Sequence, residues 1–177
     1  MLLPLRINRV SGKIGFSLSL LFFIGCATSS PWKLTGLPNA DPDYEIVRLS
    51  YPATDALHGM KLEFVRYGTE CYAYIHAAGY AFPFYQGKEN QAKVSFYTER
   101  TAMHFIAFRC EDGQRLRLTE EAAAALATSL KKGESVTLSC GHFSQSVSAS
   151  YFCRAYRTLY KRPARFVSKE RVHVAFY

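Results

Sequence analysis

The residues with the most reactive side chains in this chain are five cysteines and five histidines: Cys26, Cys71, Cys110, Cys140 and Cys153, with His58, His76, His104, His142 and His173. A thiol beside an imidazole is a nucleophile with its base. Cys140 or Cys71 with His142, His76 or His104 would therefore make a hydrolase or thiol enzyme. A structural metal site needs four closely spaced ligands. Cys140-Gly141-His142 lacks that spacing and no Cys-x-x-Cys occurs, so neither a metal nor another cofactor is expected. Glu63, Glu70, Glu99, Glu111 and Asp112 show no pairing suited to acid–base work. The sequence holds no Gly-x-Ser-x-Gly, no His-Glu-x-x-His and no phosphate-cradling glycine loop. No catalytic set is assigned, and the Cys–His pair stands as the enzyme alternative to a non-enzymatic module.

The compartment decides how these cysteines are read. Arg6, Arg9 and Lys13 precede an apolar run of residues 14–25 that gives way to Cys26-Ala27-Thr28-Ser29-Ser30. A helix crossing the bilayer needs about 20 apolar residues, so this run is too short to span and has the order of an export signal. Phe23-Ile24-Gly25-Cys26 resembles a bacterial lipobox, with a small residue before the cysteine that would be processed. The resemblance implies a lipoprotein precursor cut before Cys26, with Cys26 as the lipid attachment site. Ala27 rather than Asp after it implies release to the outer membrane, with the domain in the periplasm or at the cell surface. The expected organisation is a signal peptide at 1–25, a lipidated cysteine and flexible tether at 26–43, and one globular domain at 44–177. Pro31, Pro38 and Pro42 among small polar residues mark the tether, which fully extended would reach roughly 60 Å.

Export leaves Cys71, Cys110, Cys140 and Cys153 in an oxidising space, and an even number there predicts at least one disulfide. Four cysteines allow three connectivities. A Cys140–Cys153 bridge would close the serine-rich stretch "SQSVSAS". Alternatively, Cys140 continues the apolar phase of Val136 and Leu138, and Cys71 that of Ala73 and Ile75, as free buried thiols do.

The elements that must hold these residues are mostly strands. "KLEFVRYG" and "CYAYIHA" read as a hairpin, followed by "AKVSFYT", "AMHFIAFRC", "SVTLSC" and a closing "RVHVAFY". Asp112-Gly113 predicts a tight two-residue turn with Cys110 facing Arg115. Two helices are expected. Over about 119–132, Thr119 is the N-cap, Glu120 and Glu121 lie in the first turn, and Lys131 and Lys132 lie in the last. Ala122, Leu126 and Leu130 form its apolar stripe. Over about 150–161, Phe152, Tyr156, Leu159 and Tyr160 should dock, and Pro163 ends the helix. The fold class is α+β, an antiparallel sheet or sandwich with two helices packed against it.

Charge points to a partner. The chain carries +8, about +5 once the signal is removed, and the excess gathers after Tyr151. Arg154, Arg157 and Lys161 share a helix face, and Arg162 and Arg165 extend it into a candidate anion contact. The expected partners are the membrane, through the N-terminal lipid, and an envelope protein or anionic polymer, with no nucleic acid. The aromatics of 79–87 either present a binding loop or cover the open end of the sheet.

Overall fold

The computed structural model describes residues 30–37, 46–110 and 112–161. Nine strands form one antiparallel sheet: β1 (Lys33–Leu37), β2 (Ile46–Tyr51), β3 (Met60–Tyr67), β4 (Glu70–Ala77), β5 (Gln91–Tyr97), β6 (Ala102–Arg109), β7 (Arg115–Arg117), β8 (Val136–Cys140) and β9 (Phe143–Val147). Their spatial order is β1-β2-β3-β4-β7-β6-β5-β8-β9. Helix α1 (Glu120–Lys131) packs on β4 and β8, and α2 (Phe152–Lys161) packs on β1 and β2. The α+β architecture expected from the residue pattern is present, as one open sheet rather than a sandwich.

The alternation of each strand sends one set of side chains toward the helices. Val47, Leu49, Leu62, Phe64, Ala73, Ile75, Val94, Phe96 and Leu138 are almost wholly shielded and form the core with Leu126 and Leu130 of α1. The sheet curls around this core. Ser144 N donates to His58 O at 3.2 Å and Thr54 N to the Gln145 Oε1 at 2.9 Å. Trp32 Nε1 donates to Ser148 O at 3.1 Å. These bonds tie the β9 margin back to the first strands, which protects an otherwise open edge.

Helix α1 starts where its cap says. Thr119 Oγ1 accepts from Ala122 N at 3.3 Å, and Ala122, Leu126 and Leu130 are buried as the stripe required. Beyond it, Gly133 adopts φ +85°, a stop that favours glycine. In α2, Phe152 and Leu159 are buried and Tyr156 is half-buried. Tyr160, expected to dock, is instead exposed, its hydroxyl 3.1 Å from that of Tyr156. Among the described residues no helix is long and apolar enough to cross a membrane.

Three expectations need correction. The tether does not extend over 31–37: Trp32 is 5% exposed, packs on Tyr51 and Phe152, and leads into β1. An edge strand turns few side chains to the core, so β1 shows no period in the sequence. Secondly, the Asp112-Gly113 turn is a four-residue loop. Cys110 N does face Arg115 O at 2.8 Å, and Gly113 has φ +67°. Asp112 contributes differently, its Oδ1 accepting from Gln114 N and Arg115 N.

Thirdly, no disulfide joins Cys71, Cys110, Cys140 and Cys153 among the described residues. Cys140 lies at the turn end of the β8–β9 hairpin, and Cys153 follows the opposite end, where Val136 pairs with Val147. Strand β8 alone separates those ends by about 13 Å, whereas bridged Cα atoms lie about 4.4–6.8 Å apart. Cys26, Glu111, Arg162, Arg165, His173 and the strand expected at 171–177 lie outside the described residues.

Candidate binding face

The histidines are not brought to the cysteines. Cys140 is buried in the core, where burial pushes its thiol up to about 12, so it is protonated and unreactive at neutral pH. The Cys71 thiol is also raised, first by burial, and it neighbours the hydroxyls of Tyr160 and Tyr156. His142 meets His58 and Tyr80 edge-on, with ring centroids at 6.0 and 6.5 Å. His104 Nδ1 lies 2.8 Å from Ser95 Oγ, and His76 Nε2 lies 2.9 Å from Glu63 Oε2. Each is occupied by a strand neighbour. No three His, Cys, Asp or Glu side chains among the described residues converge as a metal set would.

What the fold does assemble is the helix-free face of the sheet. Register places Ser50, Glu63, Tyr74, Arg117 and Phe108 side by side on β2, β3, β4, β7 and β6. Beside that row stand Lys61, His76 and Arg115, and on its other flank Arg48, Val65 and Tyr72. β6 and β7 are joined by the turn at 110–114, but β5 and β6 separate β4 from β7 in the chain, so no local motif announces the whole row.

Two guanidinium groups stand on rings. Arg115 Cζ lies 3.9 Å from the Tyr74 ring centroid and Arg117 Cζ 5.3 Å from that of Phe108. Such seating restrains a long side chain while leaving its charge to act. The Nε atoms of Arg48 and Arg115 are shielded from solvent and have no hydrogen-bond partner among the described residues.

Glu63 is the exception to the positive character. Its side chain is 4% exposed although it sits on the open face, with Lys61 Nζ at 2.6 Å and His76 Nε2 at 2.9 Å. The His76 hydrogen bond, opposed by burial and aided by Lys61, holds its carboxyl at about 2. Tyr72 donates its hydroxyl proton to Glu70, so both acids of this region are engaged by neighbours.

Of the residues expected to make an anion contact, three lie on the second helix. Arg154 and Arg157 are exposed on α2, away from Phe152 and Leu159, and Lys161 is its last residue. The aromatic stretch divides its labour. Phe82 is 1% exposed and packs edge-on against Phe143 at 5.0 Å, closing the sheet's open end. Tyr80 and Phe84 remain exposed, with Arg109 Cζ 4.2 Å from the Phe84 centroid. Sequence reasoning singled out the α2 basic residues but passed over Arg48, Arg115 and Arg117. The signal available was the outward phase of Arg115 and Arg117 either side of buried Leu116.

Comparison with protein-family models, with curated proteins and with solved structures finds no match to this chain.

Proposed function

We propose that this protein is a lipid-anchored envelope protein, processed and lipidated at Cys26, whose domain is a non-enzymatic binding module for an anionic envelope component. The observation that carries the binding role is the seating of Arg115 on Tyr74 and Arg117 on Phe108, on the sheet face that also carries Tyr72 and Arg48. Fixed guanidinium groups bind carboxylate or phosphate at a lower ordering cost than free ones. The exposed Arg154 and Arg157 add positive charge on the other side of the domain. A Cys–His enzyme has less support, because burial keeps Cys140 protonated.

The location and the task are tested separately. Fatty-acid labelling of the full chain in a Gram-negative cell is expected to mark wild type and not Cys26→Ser; equal labelling would refute the anchor. For the task, the paired change Arg115→Gln and Arg117→Gln is expected to weaken binding to immobilised polygalacturonate and to flatten its salt dependence. Unchanged affinity would reduce the face to a solvated surface.

A further inference from the structure

The chain enters the described domain close to the cysteine that the lipid would hold. Three residues, 27–29, separate Cys26 from Ser30, so even fully extended the two Cα atoms stand at most about 14 Å apart. Ser30 is tied to the domain: its Oγ accepts from Trp32 N at 3.2 Å, and Trp32 is buried against Tyr51 and Phe152. The described residues make a body about 35 Å across. That is more than twice the reach, so only the side carrying Ser30 can face a bilayer that holds Cys26.

That side is the outer face of α2. Ser30, Trp32, Leu34, Tyr151, Arg154 and Thr158 are among the residues lining one shallow cavity of about 370 Å³, which puts the first turns of the helix beside the entry of the chain. Arg154 and Arg157, three positions apart and so on one helix face, are exposed there, while Phe152 and Leu159 are buried. No Asp or Glu occurs between 135 and 161, so no acid of α2 or of the β8–β9 hairpin offsets these charges. Tyr151 is 47% exposed and is held at φ +64°, a conformation that non-glycine residues seldom adopt. A tyrosine, apolar in its ring and polar at its tip, suits the boundary between head groups and water.

We infer that α2 is the surface on which the domain rests against its own bilayer, with Arg154 and Arg157 on the phosphates of anionic phospholipid head groups. This assignment rests on the lipidation of Cys26 proposed above and adds the orientation that a short tether imposes. Each basic residue near an anionic leaflet favours the seated state about fivefold, and the attraction fades within a Debye length of about 8 Å at physiological salt. Two arginines are too few to recruit a free protein. On an anchored one the contact is intramolecular, and the same attraction suffices to choose which side is down. Arg115 and Arg117 stand on the helix-free face of the sheet, so the seating turns them away from the bilayer and toward a ligand.

The test uses the full chain made in a Gram-negative cell and purified from its membrane, with the mass of the N-terminal fragment recorded first. The protein is placed in vesicles of phosphatidylglycerol with phosphatidylcholine, or of phosphatidylcholine alone, each carrying a trace of rhodamine-headgroup lipid. A donor dye is attached to exposed Cys153 on α2 or, in a Cys153→Ser background, at Gln114→Cys. Gln114 precedes β7, the middle strand of the order, and the two margins of that sheet meet at Trp32. Energy transfer in the anionic vesicles is expected to be greater from Cys153 than from the Gln114→Cys site. Arg154→Gln with Arg157→Gln is expected to lower the ratio of seated to unseated domain about thirtyfold. Transfer from Cys153 then falls to its value in phosphatidylcholine alone. In acylated protein, equal transfer from the two sites, or transfer from Cys153 indifferent to lipid charge and to the arginines, overturns the seating and leaves the anchor standing. An N-terminal fragment without acyl chains overturns both.

Discussion

Replacing Glu63 by glutamine tests how the open face of the sheet contributes to stability. Glu63 is shielded between register neighbours Ser50 and Tyr74, and it holds its charge through His76 and Lys61. Its carboxyl is displaced from the ordinary 4.5 to about 2. That displacement corresponds to about 3 kcal/mol in favour of the folded chain at neutral pH. The sign follows from the depressed value. The contribution is complete above about pH 4.5 and is lost as pH falls toward 2, where the folded chain also binds the proton. Glu63→Gln is neutral at every pH, so it lacks this contribution throughout. Urea unfolding followed by the fluorescence of Trp32, the single and buried tryptophan, reads the difference directly. Wild type is expected to exceed Glu63→Gln by about 3 kcal/mol at pH 7, with the gap closing on acidification. A gap of equal size at acid and neutral pH, or none at pH 7, refutes the assignment of the charge to folding.

The same carboxylate ranks its partners: His76→Ala is expected to destabilise more than Lys61→Ala at pH 7, because the exposed Lys61 gives a solvent-screened pair worth under about 1 kcal/mol. Trp32→Ala removes a ring packed on Tyr51 and Phe152 and is expected to cost about 3–5 kcal/mol, read from urea midpoints followed by circular dichroism. In the folded chain iodoacetamide is expected to modify exposed Cys153 first and Cys140 only upon unfolding, as mass spectrometry of partly modified protein would show. Thr119→Ala deletes the cap of α1 and is expected to cost about 1 kcal/mol in the same urea assay.

Local rules carry far in this chain. The charges of Glu120, Glu121 and Lys131, the cap at Thr119 and the stripe Ala122–Leu126–Leu130 specify α1 without reference to anything distant. The alternation in β3, β4, β5, β6 and β8 likewise says which side chains enter the core, because the pleat has a period of two whatever the strand pairs with. Helix α2 is legible too, apart from Tyr160, which is exposed where the helical spacing predicts docking. Edge elements escape such reading. β1 and β9 are short, and they are held by Trp32 to Ser148 and by Thr54 to Gln145, contacts more than ninety residues apart in sequence.

The candidate sites belong wholly to the tertiary structure. Arg117 meets Tyr74 and Phe108 only because β7 inserts between β4 and β6. Cys140 and Cys153, near in sequence, lie toward opposite ends of the β8–β9 hairpin, which sequence spacing does not reveal. Residue types and periods act within a few positions. Strand order is chosen by which pairing buries the most apolar surface, a property of the whole chain. The sequence by itself determined α1, the core-facing residues and the class of fold, while strand order alone brought the arginines to their rings.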